Sequence, residues 1–427
     1  MEVDNHFSYF EHLITEVSSQ GIRPGLERVE KLLKLLGNPQ NKFPAIHIVG
    51  TNGKGSTAAF LNSILNKSGY KTALYTSPHL ISPGERLLIC GEPLSEKEWL
   101  ECAEQIVELI RNDSGVSNDP PSYYEVVTAV VFKLIEKHEV DVAIIEAGLG
   151  GRLDATNTLG NVLATVITSI SMDHTEYLGD TIEKIAFEKF SVVRSPETSI
   201  YLGDNELLYE YFHGNILMRD AQIRIISMSI KGNCYDLTWD KYQFNELKTC
   251  LIGEFQIYNS ALAVIAALIA STRLSKINEN SIRDGISSAA WIGRMELIPY
   301  DDGKKYILMD GGHNEDGVQK LIQSVREIFK FCHKKAIVYA AMRDKDLYSC
   351  LYHINKMNAP IFLTEVPENE RSATVHELEC EARKFDWIGL SCFENPLDAL
   401  NTAKVDNDLV IICGSLYFIG YIRQRII

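Results

Sequence analysis

The segment that first suggests chemistry is IHIVGTNGKGSTAAFL, residues 46–61, in which three glycines surround Lys54 between an apolar run and a helical pattern. Glycines let the backbone approach phosphate oxygens without a Cβ in the way, while several N–H groups and one ammonium converge on a common point. In the common P-loop the hydroxyl residue directly follows the lysine, whereas here one glycine intervenes. A tight strand-to-helix connection is the alternative interpretation. The segment predicts a variant phosphate-binding loop formed by Gly50, Gly53, Lys54, Gly55 and Ser56.

Three other apolar runs end in polar residues that could act on a bound phosphate. Glu146 closes the first, Asp173 and His174 follow the second, and Ser77 and His79 follow the third. Each has a simple structural explanation: a helix cap, an interior histidine, or the start of a turn. Open α/β sheets bind ligands at the carboxyl ends of their strands, and a carboxylate there suits magnesium beside a nucleotide phosphate. As a set, these residues predict a nucleotide–metal site.

A lysine in DTIEKIAFEKFSVV is harder to interpret. A cap at Asp180 or Thr181 would start a helix with Ile182 and Ile185 on its apolar stripe, and Lys189 lies one turn beyond on that side. From the residues alone, we expect Lys189 to snorkel from the edge of the core.

The elements that must position these residues follow from the apolar runs at 45–50, 140–148 and 161–170. Runs without polar alternation are typical of strands covered on both faces, and helical patterns lie between them. The spacing predicts a parallel α/β sheet.

A second α/β series of about 130 residues, the size of one domain, begins near residue 305. Between the two series, residues 201–250 mix aromatic and polar side chains, which predicts short antiparallel strands. We therefore expect an α/β protein with two domains, residues 1–295 and residues 296–427.

Composition narrows the functional classes. The chain has 427 residues, long enough for two domains, and its 45% hydrophobic and 23% charged residues are typical of globular proteins. A net charge of −15 opposes broad contact with nucleic acid or an anionic membrane, so we expect neither as a partner. The first twenty residues lack a secretory signal pattern, and nine cysteines without a regular spacing predict buried thiols in a reducing, cytoplasmic compartment.

The ordered motifs resemble the folylpolyglutamate synthases and dihydrofolate synthases of the ATP-dependent Mur ligase superfamily. The resemblance spans nearly the whole chain, through GLERVEKLLKLLGNPQ, HIVGTNGKGS, YTSPHL, EAGLGGRLDATN, SMDHTEYLGDTIEKIAFEK, QIYNSALA, GRMEL, DGGHN, DKD and CGSLYFIG. It implies an N-terminal P-loop ATPase-like domain with a parallel sheet, which also binds folate, and a smaller C-terminal Rossmann-like glutamate ligase domain. ATP would lie in the cleft between them.

The resemblance also assigns residues. It implies ATP contacts at Asn52, Gly53, Lys54, Gly55, Ser56, Asn259, Arg294, Asp310 and His313. It implies two magnesium ions at Ser77, Glu146, His174 and Lys189, the last as a carbamate. It implies catalytic roles for Lys54, His174, Lys189 and Arg294, with His174 as a ligand, although the residues alone would equally allow a general base. It implies contacts to the pterin substrate at Ser122, Tyr123, Tyr124, Glu125, Leu153, Asp154 and Ala155.

The function implied is ATP-dependent addition of L-glutamate to 7,8-dihydropteroate, to the γ-carboxylate of tetrahydrofolate, or to both, through an acyl phosphate. We expect a monomer acting on small molecules. The alternatives are a folylpolyglutamate synthase with one activity, a cell-wall Mur ligase, a P-loop kinase that forms no amide, and a protein that closes on ATP without chemistry.

Overall fold

The computed structural model describes residues 5–203 and 205–427; residues 1–4, part of the segment used to argue against a secretory signal, lie outside the described residues. The first sheet contains eight strands: β1 (Ala45–Val49), β2 (Thr72–Tyr75), β3 (Leu87–Ile89), β4 (Glu92–Pro93), β5 (Val142–Glu146), β6 (Val162–Ile167), β7 (Ser199–Tyr201) and β8 (Ile216–Leu217). Their order is β4-β3-β2-β5-β1-β6-β7-β8. The six strands from β2 to β8 in this order are parallel, and β3 and β4 are antiparallel additions at one edge.

Helices cover both faces of this sheet. They are α1 (Asn5–Val17), α2 (Glu27–Leu35), α3 (Lys54–Lys67), α4 (Glu96–Asn112), α5 (Ser114–Ser117), α6 (Tyr123–Lys137), α7 (Thr175–Leu178), α8 (Ile182–Phe190), α9 (Glu254–Ala270) and α10 (Glu279–Ser288). On β1, Ile46 and Ile48 pack in one core cluster with α3 and α9, whereas Ala45 packs on the opposite face with α4 and α6. Burial on both faces explains the absence of polar alternation, and the predicted parallel sheet is confirmed.

Three antiparallel strands form a separate sheet in the order β11-β10-β9: β9 (Gln222–Ser229), β10 (Gly232–Trp239) and β11 (Tyr242–Thr249). Tyr235 and Leu237 of β10 pack into the core cluster that contains α9. The expectation of short antiparallel strands in this region is confirmed.

The third sheet contains β12 (Glu296–Tyr300), β13 (Lys305–Met309), β14 (Lys335–Tyr339), β15 (Ile361–Leu363), β16 (Leu390–Cys392) and β17 (Leu409–Cys413). Its order is β12-β13-β17-β14-β15-β16, with only β12 antiparallel to its neighbour. The remaining helices are α11 (Glu315–Ile328), α12 (Leu347–Asn355), α13 (Val375–Ala382), α14 (Pro396–Asp406) and α15 (Leu416–Ile426). Two core clusters cover its two faces, so the chain is a two-domain α/β protein, as predicted.

All nine cysteines are free thiols, but they are not uniformly buried. Four are buried as expected: Cys102, Cys332, Cys350 and Cys413. The expectation was wrong for four exposed ones: Cys90, Cys250, Cys380 and Cys392. Cys392 shows the reason, since it lies on the edge strand β16, which has only one neighbouring strand. Within residues 5–203 and 205–427, no helix combines the length and apolarity needed to cross a membrane.

Candidate active site

The glycine-rich loop connects β1 to α3, whose first residue is Lys54. Gly53 has a φ of +87°, and a Cβ there would lie 2.4 Å from Oδ1 of Asn259, so glycine is required by both conformation and space. The Lys54 ammonium donates to the carbonyl oxygens of Gly50 (3.1 Å) and Thr51 (3.0 Å). The lysine thus lies over its own loop, where it can meet a phosphate.

Glu146 ends β5, the strand beside β1, and Oε1 lies 4.0 Å from the Lys54 ammonium. Burial raises the pKa of Glu146 to about 7, although the positive charges of Lys54 and Arg294 oppose this. An ionised carboxylate here is incompletely compensated, and a bound cation would stabilise it.

Ser77 follows β2 and lines the same cavity as Glu146. His79, two residues further on, is not among the residues that line it. Its Nδ1 accepts a hydrogen bond from Nε of Arg86 (3.0 Å), and burial lowers its pKa to about 4. Ser77 is therefore the candidate ligand at the end of this strand, whereas His79 holds the side chain of Arg86.

Asp173 and His174 follow β6 on the other side of β1, and they have different surroundings. Burial lowers the pKa of His174 to about 4 despite the opposing charge of Asp173, so the ring is neutral at pH 7. Asp173 accepts from the ammonium of Lys345 (2.9 Å) and from Nδ2 of Asn314 (3.0 Å). Burial would raise its pKa, but hydrogen bonding and charge from His313, together with the charge of Lys345, hold it well below its usual range. Asp173 therefore joins the two domains, while the His174 ring, 37% exposed, is available to a ligand.

Lys189 is in the last turn of α8 and is only 4% exposed. Its ammonium nitrogen donates to the carbonyl oxygen of Gly50 at 2.8 Å. Burial and the nearby charge of Lys54 lower its pKa to about 7. The expectation that this lysine snorkels was wrong, because α8 directs it inward onto the phosphate loop.

Gln256 is a functional candidate that sequence reasoning missed. Its Nε2 donates to Oγ of Ser56 (3.2 Å), and its Oε1 accepts from Nδ2 of Asn259 (3.0 Å). Both α9 residues are buried. The available signal was two amides three positions apart in an otherwise mostly apolar helix, a spacing that places them on one face.

The C-terminal domain contributes the segment around Asp310, directly after β13. Its two carboxylate oxygens accept from the backbone N–H groups of Gly312 (2.8 Å) and Met295 (2.9 Å). Burial raises its pKa, and the charge of Arg294 opposes this. Asp310 thereby fixes the backbone next to Arg294. Nearby, Nδ1 of His313 donates to the carbonyl oxygen of Gly311 (2.8 Å).

One cavity of about 140 Å³ joins these elements. Its lining includes Asn52, Gly53, Lys54, Gly55, Ser56, Ser77, Glu146, His174, Lys189, Asn259, Arg294, Asp310 and His313. Asn52 lies at the domain contact, where its amide exchanges hydrogen bonds with Asn314 (3.0 and 3.1 Å). An adjoining cavity of about 520 Å³ extends past Tyr258 and shares five lining residues with the first: Asn52, Gly53, Phe255, Asn259 and Lys320.

Comparison with known families matches both domains. The Mur ligase middle domain matches residues 48–267, and the Mur ligase glutamate ligase domain matches residues 293–416. This chain belongs to the Mur ligase family. The resemblance inferred from the motifs is confirmed, and the chain is an ATP-dependent ligase.

Relatives of this Mur ligase match along nearly its whole length. The dihydrofolate synthase/folylpolyglutamate synthase of Bacillus subtilis (strain 168) is 32% identical over 426 residues, covering 95% of this chain and 96% of the relative. A structure of Mycobacterium tuberculosis folylpolyglutamate synthase complexed with ADP has a TM-score of 0.87 at 28% identity, covering 98% of both chains. Escherichia coli FolC in complex with DHPP and ADP has a TM-score of 0.86 at 26% identity, covering 98% of this chain and 97% of that one.

The residues of this Mur ligase predicted to contact the pterin lie outside the lining of the 140 Å³ cavity. Ser122 caps α6, and its hydroxyl accepts from the N–H of Glu125 (3.4 Å), while Oε2 of Glu125 accepts from the N–H of Ser122 (2.6 Å). Glu125 also forms a buried ion pair with Arg28 (3.2 Å). Tyr123 is half-buried, and burial raises its pKa to about 12. The ring of Tyr124 lies against Gly148, where a Cβ would be 2.6 Å from Cζ.

The remaining three predicted pterin contacts follow β5. Asp154 is buried and accepts from Thr156 Oγ1 (2.6 Å) and from the N–H of Leu149 (2.8 Å), so its carboxylate organises this loop. Ala155 is packed in the core, and Leu153 is half-buried beside it. These two groups of residues therefore approach each other at Gly148, and their contact with substrate stays a prediction.

Proposed function

We propose that this Mur ligase joins L-glutamate to 7,8-dihydropteroate and to the γ-carboxylate of tetrahydrofolate at the expense of ATP. The observation that carries the proposal is the cavity in which the phosphate loop, Glu146, His174 and Lys189 face Arg294 of the domain linker. Relatives from Bacillus subtilis and Escherichia coli are named for both activities.

The nucleotide would occupy both adjoining cavities. Its phosphates would lie on the loop at Lys54, whose ammonium and the surrounding N–H groups suit an anion. The nucleoside would extend into the 520 Å³ cavity, where Phe255 and Tyr258 offer aromatic surface and Asn259 offers an amide. The shared lining of the two cavities supports one ligand spanning both.

The chemistry follows from the poor reactivity of a carboxylate toward an amine at neutral pH. An oxygen of the substrate carboxylate attacks the γ-phosphorus of ATP, and the bond to the ADP oxygen breaks, which gives an acyl phosphate. The uncharged amine of glutamate then attacks the acyl carbon and the amide forms. Inorganic phosphate leaves and carries the former carboxylate oxygen, and the nitrogen releases a proton to solvent. The protein must mainly position the reactants and neutralise charge, which Lys54 and Arg294 do.

Two magnesium ions are part of the proposal. The described residues contain no metal-binding group of three or more His, Cys, Asp and Glu side chains. Glu146 and Ser77 nevertheless offer oxygen ligands that fit magnesium, which commonly takes one or two carboxylates and completes its shell with phosphate and water, and the neutral ring of His174 would add a nitrogen ligand. When bound, magnesium would neutralise charge on the transferred phosphoryl group.

We also propose that Lys189 is carboxylated. Burial lowers the pKa of Lys189 toward neutral pH, which makes the uncharged amine accessible, so its nitrogen can attack CO₂, forming an N–C bond and releasing a proton. The product would place a negative charge beside Lys54 and provide oxygen ligands for the second magnesium ion.

The domain division at residues 1–295 and 296–427, a monomeric state and a cytoplasmic location complete the proposal. The third sheet begins at Glu296, which supports the division. Nine free thiols support a reducing compartment. Light scattering after gel filtration would test the monomer.

The deciding experiment measures phosphate release with ATP, magnesium and L-glutamate, with 7,8-dihydropteroate or tetrahydrofolate as acceptor, and identifies the amide by mass. Lys54→Met should abolish turnover, while Lys67→Met, at the exposed end of the same helix, serves as the control. Amide formation with both acceptors supports the proposal. Amide with tetrahydrofolate alone leaves a folylpolyglutamate synthase, and phosphate release without amide contradicts the proposal.

A further inference from the structure

His47 is a buried titratable residue that the proposed chemistry does not use. It lies in the middle of β1, the strand that leads into the phosphate loop, and none of its surface is exposed. Side chains alternate along a strand, so His47 shares a face with Ala45 and Val49, both packed in apolar clusters. An imidazole at such a position requires a polar partner.

That partner is Thr156, in the turn after Asp154. Nε2 of His47 lies 2.9 Å from Oγ1 of Thr156, and this hydroxyl is 2.6 Å from Oδ1 of Asp154. The other carboxylate oxygen of Asp154 accepts from the N–H of Leu149 at 2.8 Å. A continuous chain of hydrogen bonds thus runs from the middle of β1 to the turn that follows β5.

The direction of these hydrogen bonds follows from the groups themselves. A carboxylate only accepts, so the single hydroxyl proton of Thr156 is donated to Asp154. The hydroxyl must then accept from His47, which places the imidazole proton on Nε2. Nδ1 of His47 is left without a proton, and it has no partner among the residues the structure describes. Burial and the charge of Arg194 lower the pKa of His47 to about 3, so the ring stays neutral.

The turn held by these hydrogen bonds borders the cavity that contains the phosphate loop, because Gly148, Leu149 and Gly150 line that cavity. Asp154 also belongs to the group predicted to contact the pterin. The phosphate loop itself has separate support from Gln256 and from the β1 ladder. The hydrogen-bond chain therefore holds the turn in place, and nucleotide binding does not depend on it.

We propose that His47 is a positioning residue: through Thr156 and Asp154 it fixes the 148–155 turn relative to the phosphate strand, and so sets where the acceptor carboxylate meets the γ-phosphate. This inference rests on the proposed function for its kinetic consequence. Its structural part, the restraint on the turn, stands on the hydrogen bonds alone.

The test compares variants that remove or keep one hydrogen bond. His47→Met and Thr156→Val remove the donor and the hydroxyl, whereas His47→Gln keeps a donor near Nε2 and Thr156→Ser keeps the hydroxyl. Thr364→Val is the matched control, since Thr364 is buried in the other domain and its hydroxyl has no partner in the described chain. We expect His47→Met and Thr156→Val each to raise the acceptor KM about tenfold, the equivalent of one buried hydrogen bond. The Kd for ADP, measured by calorimetry, should stay within about twofold because the loop keeps its own support.

The positioning role would be supported if His47→Gln and Thr156→Ser kept the wild-type acceptor KM. It would also be supported if the double variant of His47→Met and Thr156→Val had a KM no higher than that of either single variant. An unchanged acceptor KM, or equal losses of acceptor and ADP binding, would overturn it.

Hydrogen exchange separates this result from the proposed function. Exchange at Leu149 and its neighbours should become faster in Thr156→Val and in His47→Met but not in Thr156→Ser. If the wild-type enzyme formed no amide with either acceptor, the proposed function would fail, and this exchange pattern would still support the restraint. Equal exchange in all variants would overturn the restraint whatever the activity.

Discussion

Glu125 provides a sharp test because its predicted role and its structural surroundings differ. The resemblance assigns it to the pterin site, yet both carboxylate oxygens already have partners. Oε2 accepts from the N–H of Ser122 (2.6 Å), and Oε1 accepts from Nη2 of Arg28 (3.2 Å). The side chains of Arg28 and Glu125 are only 8% and 6% exposed. We therefore expect the loss of Glu125 to act mainly on the stability of the fold.

The magnitude follows from removing one half of a buried ion pair. Glu125→Ala leaves the Arg28 guanidinium buried without its carboxylate, which costs about 3–5 kcal/mol, and it also removes half of the capping box at α6, worth about 1 kcal/mol. We expect the free energy of unfolding to fall by roughly 4–6 kcal/mol. Arg28→Met should cost about 3–5 kcal/mol for the same reason. The double variant should cost less than the sum, because neither charge is then left alone.

The assay is urea unfolding of all three variants, with acceptor KM measured under conditions where each is fully folded. Glu101→Ala is the control, because its i,i+4 pair with Lys97 is exposed and contributes less than about 1 kcal/mol. If Glu125→Ala unfolded within about 1 kcal/mol of the wild type and raised the acceptor KM, our reasoning about this carboxylate would be refuted.

Three further predictions concern Lys189, which lines the 140 Å³ cavity, and two residues that contact its lining. Lys189→Ala should lose activity and regain part of it with added short carboxylates. In bicarbonate, wild-type activity should rise with pH through about 7, because a pKa lowered to that value leaves the amine uncharged above it. A flat pH profile would contradict this prediction. Lys345→Met should lower the free energy of unfolding, measured in urea, by about 3 kcal/mol, because it leaves Asp173 buried without its cation. If the double variant with Asp173→Asn cost the sum of the two single variants, the two residues would not be coupled. Gln256→Leu should weaken ADP binding about tenfold in calorimetry by removing the donor to Ser56, whereas unchanged affinity would show that the contact is dispensable.

Much of the fold followed from local sequence patterns. The apolar runs that became β1, β5 and β6 are read from neighbouring residues, because burial on both faces of a parallel strand needs no more than a short uninterrupted apolar segment. The glycine-rich loop is local in the same way: Gly53 and Lys54 are adjacent in sequence and lie at one strand-to-helix turn. The motif order along the chain was enough to indicate the family.

The sequence by itself thus determined the central strands β1, β5 and β6, the glycine-rich turn and the Mur ligase family, whereas tertiary packing decided the surroundings of the individual charges. Lys189 contacts Gly50 across 139 positions, and Glu125 meets Arg28 across 97. His47 reaches Thr156 across 109 positions. The periodicity of a helix or strand shows which face a side chain occupies but not which distant backbone or charge that face will meet. The partner depends on how the elements pack, and the free energy of burying a polar group is set by that partner.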